Sequence, residues 1–422
     1  MPSIKLKVSS FTSKFWLKRR LQSLLDSPIS DSDPYGVVSR WSEAQAPAIP
    51  SFSGEYGVAT KDLHIDPLSS LSIRIFLPKS AVVLPITQKV RDSAKDKSFD
   101  NGNSEKLENG AYGGYSPDGN RSNYRKLPVI LQFHGGIWVT GGNNTVANDG
   151  FCRRLANLCD AIVVAVGYRL APESKFPAAF EDGLKVLNWL GMQANLAECN
   201  QPLKNGRFSG SEREGGGNRR LQIVDGFLST MIEPWLAAHG DPSRCVLLGV
   251  GCGANIANYV AKNAVEAGKL LDPITIVAQV LITPFFMGSI PMDSEIKLAN
   301  SYVYDKATSL LAWKLFLPEE DFKLDHPVAN PLVGGGEVPL KCMPPTLIIV
   351  AEHDWMRDRA IAYCQELRKV NVDSPLLDYK DTVHEFVTLG SQFKTPVAQA
   401  CSEDIAIWMK KYISVRGNEF SY

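Results

Sequence analysis

Short apolar runs alternate with longer amphipathic stretches along most of the chain. Apolar runs bounded by turn residues predict buried β-strands, whereas apolar residues that recur every three or four positions predict helices. The predicted strands are 71–77, 129–133, 162–166, 246–248, 276–282, 346–350 and 376–379. The predicted helices are 148–158, 178–190, 223–238, 254–267, 359–370 and 395–412. This alternation predicts an α/β fold, a mostly parallel central sheet with helices on both faces.

Polar segments interrupt this pattern, and a basic segment precedes it. Residues 87–125 and 199–219 are rich in Ser, Gly, Asn and charged residues, so we predict disordered surface inserts there. Within an N-terminal segment, 1–60, five apolar residues recur at roughly helical spacing: Phe11, Phe15, Leu21, Leu24 and Leu25. This predicts a helix that docks on the main domain, 61–415. An organelle transit peptide or a peripheral membrane contact remains the alternative.

Composition narrows the classes of partner. Lys and Arg total 45, as do Asp and Glu, so net charge gives no reason to expect nucleic acid as a partner. No apolar run of about 18 residues is present, so no membrane span is expected. The eight cysteines are scattered without a C-x-x-C pair, which favours reduced thiols in a cytoplasmic protein over disulfides or a metal site. No cofactor is expected.

Glycine-rich turns follow two of the predicted strands. His134-Gly135-Gly136-Ile137-Trp138 follows 129–133, and consecutive glycines let backbone amides approach a ligand and stabilise an oxyanion. The sequence from Gly249 to Gly253 follows 246–248 and precedes a helix. It has the spacing of the nucleophile elbow G-x-S-x-G, with Gly251 in place of the serine. It lacks the lysine of a phosphate-binding loop, which argues against nucleotide binding.

An acid and a histidine follow two later strands. Asp354 comes soon after the predicted strand 346–350, and His384 soon after 376–379. The carboxyl ends of parallel strands meet at one edge of a sheet, where such folds place their sites. The chain order of nucleophile position, acid and histidine is the order of an α/β-hydrolase. We therefore predict that Asp354 orients His384 beside Gly251.

Taken together, these motifs resemble the hormone-sensitive-lipase-like plant carboxylesterases. The resemblance extends to 167–173 and 177–182, and it is strongest to long members with a polar insert before His-Gly-Gly. It implies an α/β-hydrolase fold with a helical cap, formed by the N-terminal helix and an insertion at 288–322. It implies oxyanion donors at the amides of Gly135, Gly136 and Cys252, and framework roles for Arg169 and Asp182. It also implies a pocket lined by Ile137, Trp138, Trp16, Trp313 and Phe316.

Two departures from the family affect the expected function. The family has Ser at position 251 and usually Gly at 137, where this chain has Gly251 and Ile137. Loss of a triad serine costs about a millionfold in turnover. Ile137 either narrows the pocket or, if the backbone has positive φ, strains the loop. The thiol of Cys252 is not expected to replace the serine, because the elbow aims only its apex side chain into the pocket.

Several functions therefore stay open. The leading hypothesis is a repurposed cyclase, lyase or isomerase of plant specialised metabolism, with His384 and Asp354 as the acid/base pair. A second is a ligand binder similar to gibberellin receptors, although the resemblance implies loss of the histidine there. A third is a residual carboxylesterase that uses water activated by His384, and a fourth is an engineered or decayed site. The expected partner is a small lipophilic or ester-like metabolite, and a homodimer is left open.

Overall fold

A computed structural model provides the structure of the protein. It describes residues 4–26, 43–66, 69–82, 113–117, 124–199, 231–302, 304–333, 338–388 and 395–414. Within 4–12 only the backbone is described. Most of the predicted inserts 87–125 and 199–219 lie outside these ranges, as does the first part of the predicted helix 223–238.

Eight strands and nine α-helices make up the regular structure of the described residues. The strands are β1 (Val58–His64), β2 (Ser72–Pro78), β3 (Leu127–Phe133), β4 (Ile162–Gly167), β5 (Gly240–Val250), β6 (Ile276–Ile282), β7 (Thr346–Ala351) and β8 (Leu376–Tyr379). The helices are α1 (Ile4–Asp26), α2 (Val146–Cys159), α3 (Ala178–Cys199), α4 (Pro234–His239), α5 (Cys252–Ala267), α6 (Asp293–Lys297), α7 (Lys306–Phe316), α8 (Arg357–Lys369) and α9 (Pro396–Ile413).

All eight strands form one sheet in the order β1-β2-β4-β3-β5-β6-β7-β8. The strands from β4 to β8 pair in parallel, whereas β2 pairs antiparallel with both β1 and β4. Phe133 at the end of β3 is paired with Gly249 near the end of β5. This register places the loop after β3 beside the turn after β5, at the carboxyl edge of the sheet.

The sheet is covered on both faces, as the continuous apolar runs predicted. Every residue of β3 is buried. Successive side chains point to opposite faces, so Leu131 and Phe133 join one apolar core and Ile130 joins the other. The α/β fold with a mostly parallel sheet is therefore confirmed.

The prediction missed or overextended several elements. β1 was not predicted, because Lys61, Asp62 and His64 interrupt its apolar pattern at the sheet edge. In place of a helix over 223–238, the described part contains only the short α4. Within the predicted insert 87–125, Tyr115 packs its ring against Trp235, so this part is ordered against the domain.

The N-terminal helix docks on the domain through only part of its apolar surface. Leu17 and Leu21 of α1 are buried in the main core, and Lys14 forms an ion pair with Asp305 at the start of α7. Phe15 and Trp16 are more than half exposed. The expectation that Phe15 packs inward and that Trp16 lines the pocket is therefore wrong. No helix in the described ranges is both long and apolar enough to cross a bilayer.

Candidate active site

The turn between β5 and α5 has the sharp bend of a nucleophile elbow, with Gly251 at its apex. The backbone of Gly251 has φ 56° and ψ −124°, a region in which L side chains are strained. A Cβ added to Gly253 would lie 2.3 Å from the carbonyl oxygen of Phe133, so the turn packs directly against the end of β3. Gly251 thus occupies the apex predicted for it and presents only its Cα.

The imidazole of His384 faces this apex. A Cβ built on Gly251 would lie 3.2 Å from His384 Nε2 and 3.8 Å from the Cα of Gly135. His384 Nδ1 donates a hydrogen bond to Asp354 Oδ2 at 2.8 Å, and the N–H of Met356 donates to the other oxygen of Asp354. The structure therefore brings together Gly251, His384 and Asp354 as the sequence predicted.

Burial and charge act in opposite directions on the pKa of His384. Burial lowers it, whereas the charge and hydrogen bond of Asp354, with a further contribution from the charge of Glu385, raise it. The net effect is a pKa above the ordinary value of 6.5. The ring is thus a base strengthened by its carboxylate partner, and Nε2 makes no hydrogen bond with any other described residue.

The loop after β3 forms the opposite wall. Within the described part of the chain, the N–H groups of Gly135 and Gly136 have no hydrogen-bond acceptor. The side chain of His134 makes structural contacts: its ring stacks on Tyr168, and its Nδ1 donates a hydrogen bond to the carbonyl of Gly135 at 2.7 Å. Burial lowers the pKa of His134 to about 4, although that hydrogen bond opposes the shift. His134 is therefore neutral and serves to fix the loop.

The backbone of Ile137 is strained, which is one of the two outcomes that the sequence analysis gave for this residue. Its φ is 49°, in the left-handed region that β-branched residues avoid, and the neighbouring Trp138 has φ 59°. Ile137 lines the cavity, whereas Trp138 is fully buried and stacks on Phe316. Trp313 and Phe316 are also fully buried in this aromatic cluster. The prediction that these three aromatic residues line the pocket is wrong, because they support the loop from behind.

The thiol of Cys252 points into the protein interior. Its sulfur accepts a hydrogen bond from the N–H of Trp138 at 3.2 Å, and burial raises its pKa to about 11. A thiol in this state is a poor nucleophile at neutral pH. All eight cysteines are free, and two of them, Cys199 and Cys342, are exposed.

A cavity of about 90 Å³ lies between these elements. Besides the residues already described, Tyr304, Glu43, Thr388 and Glu385 line it. Sequence analysis missed these four residues. Glu385 alone had a signal, because it directly follows His384; Tyr304 and Glu43 come from distant, irregular segments. A larger cavity of about 300 Å³ lies at the opposite, amino-terminal end of β5, where parallel sheets do not place their sites.

The residues with implied framework roles, and a group of residues that could bind a metal ion, lie outside the cavity. Asp182 is fully buried and accepts hydrogen bonds from the guanidinium and backbone N–H of Arg169, which fits the framework role implied for both.

In the described ranges, Glu352, His353 and Asp381 form one group whose potential metal-ligand atoms lie within 4.8 Å of one another. It is partly exposed, and it offers three ligand atoms, whereas a closed structural zinc site has four.

Comparison with known proteins agrees with this fold and geometry. The model of a family described as alpha/beta hydrolase fold matches residues 130–388. The chain is 58% identical to "Probable carboxylesterase 16" and 56% identical to "Probable carboxylesterase 11", both of Arabidopsis thaliana, over the whole of each chain. The solved structure of carboxyl esterase 2 from the fungus Tuber melanosporum is 19% identical and has a TM-score of 0.59, covering 94% of this chain and 98% of that one.

The family match and the two plant relatives cover the elements that carry Gly251, Asp354 and His384. They confirm the resemblance seen in the sequence motifs, and the fungal structure supports the fold. The chain therefore belongs to the α/β-hydrolase family, among its carboxylesterase-like members from plants.

Proposed function

We propose that this protein is a non-hydrolytic enzyme that moves a proton on a small plant metabolite, with His384 as acid and base. The observation that carries the proposal is the buried Asp354–His384 pair, whose Nε2 faces an apex without a side chain at Gly251. Without a hydroxyl no acyl-enzyme forms at this position. Proton transfer by the imidazole, however, requires no protein nucleophile.

In the proposed reaction, backbone amides stabilise the oxygen of a substrate carbonyl. The N–H groups of Gly135, Gly136 and Cys252 are the donors for the charge that develops on it. His384 Nε2 removes a proton from the carbon beside the carbonyl, and the electron pair of the broken C–H bond forms an enolate. The proton then returns to another carbon in an isomerisation, or to a leaving group in an elimination. Asp354 stabilises the imidazolium in the interval.

Proton transfer can be tested before the substrate is known. Wild type and His384→Ala are each incubated in D₂O with the small-molecule fraction of a plant extract, and mass spectrometry follows deuterium incorporation and new products. We expect at least one metabolite that gains deuterium or changes structure only with the wild type. Identical profiles for both proteins would eliminate the proposal.

A second candidate, weak ester hydrolysis, is favoured by the space beside Gly251. Apart from its chain neighbours, the only atoms of the described residues within 4 Å of the missing Cβ are His384 Nε2 and the Cα of Gly135, and the site opens into the cavity. A water molecule occupies about 30 Å³ in the liquid, so the cavity of about 90 Å³ that Gly251 lines has room for one. His384 would activate this water towards an ester carbonyl.

Gly251→Ser and Gly251→Ala separate the two candidates. Both variants add the strained side chain and its contact with His384, but only serine adds a nucleophile. We expect Gly251→Ser to raise hydrolysis of p-nitrophenyl acetate by about 10³-fold or more and Gly251→Ala to leave it at the wild-type level. If wild type hydrolyses the ester as fast as Gly251→Ser, the non-hydrolytic proposal fails and hydrolysis is the function.

A further inference from the structure

Glu385 is a buried carboxylate that the proposed reaction does not use. Its side chain lines the cavity and is only 9% exposed. Neither carboxylate oxygen has a hydrogen-bond partner of normal geometry among the described residues. The neighbouring His384 already directs Nδ1 to Asp354. A buried polar group without a partner costs free energy, so this carboxylate is a group that a ligand can satisfy.

The described residues around Glu385 bring no fixed positive charge to the cavity. No Lys or Arg is among the described residues that line it. Burial raises the pKa of Glu385 to about 7, although the charge of His384 and the N–H groups of Glu385 and Tyr304 favour the ionised form. Glu43, at the rim, accepts a hydrogen bond from the N–H of Gly141. Burial also raises the pKa of Glu43, so both carboxyls keep their protons to a higher pH than a free glutamate does, and each would be ionised more readily beside a cation.

We propose that the cavity binds a small molecule with a protonated amino group, which pairs with Glu385. This inference rests on the proposed function, because it names the substrate class of that site. In this arrangement the ammonium donates to Glu385, and a carbonyl on the same molecule faces the N–H groups of Gly135 and Gly136. The volume of about 90 Å³ suits an amine of a few carbon atoms.

The ionised carboxylate gains most from such a ligand. A charged hydrogen bond is worth about 1.5–3 kcal/mol, which corresponds to about 10- to 100-fold in affinity. The pair also removes the cost of a buried, unpaired charge. A neutral ligand would instead accept a hydrogen bond from the protonated carboxyl of Glu385. Comparing the binding of an amine with that of an alcohol distinguishes the two cases.

Binding should depend on pH through more than one group. The titratable groups that face Glu385 or the cavity from neighbouring elements are His384, Asp354, Tyr304, Glu43, His134 and Cys252. As pH rises through about 7, Glu385 gains its charge, and His384, whose pKa is raised above 6.5, also loses its proton as the pH increases. Both changes strengthen the binding of a cation. In Glu385→Gln the contribution of Glu385 is lost while those of the other groups remain, so the pH dependence becomes shallower.

Calorimetric titration with n-butylammonium and 1-butanol tests the proposal on the full-length protein. At pH 8 we expect wild type to bind n-butylammonium, and Glu385→Gln to bind it about 10- to 100-fold more weakly. Glu319→Gln, which alters an exposed carboxylate outside the cavity, is the matched control and should bind as wild type does. Circular dichroism checks that each variant is folded.

Two results would overturn the assignment of an amine to Glu385. One is equal affinity for n-butylammonium in wild type and Glu385→Gln, including no binding by either. The other is tighter binding of 1-butanol than of n-butylammonium, which would mean that Glu385 acts as a neutral donor. Failure of the proton-transfer proposal is separate, because it appears as unchanged deuterium profiles in His384→Ala while amine binding persists.

Discussion

The stability of the protein should depend on pH through Glu385, and Glu385→Gln should remove this dependence. The pKa of a free glutamate is 4.5, and burial raises that of Glu385 to about 7 in the folded protein. Between these values the folded state keeps a proton that the unfolded state has lost. The free energy of unfolding therefore falls as pH rises from 4.5 to about 7, and the loss is complete above that.

The magnitude follows from the shift. Raising the pKa of Glu385 from 4.5 to about 7 corresponds to about 3 kcal/mol of stability that is lost at pH 8.5. Gln has the shape of the protonated carboxyl and does not ionise. The buried amide has its own unsatisfied polar atoms, but that cost is independent of pH. The difference in stability between variant and wild type should therefore move by about 3 kcal/mol in favour of the variant between pH 5 and pH 8.5.

Urea unfolding followed by tryptophan fluorescence at pH 5, 6, 7 and 8.5 measures this difference. His384 titrates in both proteins, and the part of its contribution that arises from burial and Asp354 cancels; the part that arises from Glu385 belongs to the difference that is measured. Replacing the exposed Glu319 by Gln is the control and should change stability by less than about 0.5 kcal/mol at every pH. A Glu385→Gln difference that is the same at pH 5 and pH 8.5 would refute the claim that Glu385 is held unpaired and desolvated.

Two further variants test the surroundings of the site. Asp354→Asn should lower the pKa of His384 below 6.5, because burial then acts without the carboxylate; NMR titration of the ring protons checks this, and an unchanged pKa would show that Asp354 is not the controlling charge. Asp182→Asn should destabilise the protein by about 3 kcal/mol, because it leaves Arg169 with a weaker partner behind the loop. Denaturant unfolding measures that loss, and a change below about 0.5 kcal/mol would contradict the framework role.

The sequence predicted the elements whose pattern is local. Central strands such as β3 and β6 are apolar except for Gln132 and Gln279, so their sequence pattern identifies them without tertiary information. The carboxyl-edge placement of Asp354 and His384 followed from their positions after β7 and β8, because parallel strands end at a common edge. Gly251 was located by the spacing of Gly249 and Gly253 on either side of it, and a Cβ at Gly253 would collide with the end of β3.

What the sequence did not predict depends on packing between distant segments. Trp138, Trp313 and Phe316 form a buried aromatic cluster, and no local pattern distinguishes such a cluster from a pocket wall. Trp16 was expected in the pocket and is exposed, because only one side of α1 meets the domain. The surroundings of Glu385 are formed by loops around Tyr304 and Glu43. These loops are far apart in the sequence, so no local pattern shows whether Glu385 has a hydrogen-bond partner.

Features that lower the stability of the fold are concentrated around one small cavity. Ile137 occupies the left-handed region, at a cost of order 1–3 kcal/mol. The carboxylate of Glu385 is buried without a hydrogen-bond partner of normal geometry among the described residues, and Asp354 and His384 form a buried, hydrogen-bonded pair. A fold that only needed the cavity filled could replace each with a neutral, unstrained residue. Strained and unpaired groups persist where they serve binding or catalysis, so their clustering beside Gly251 favours a working site over a vestigial one.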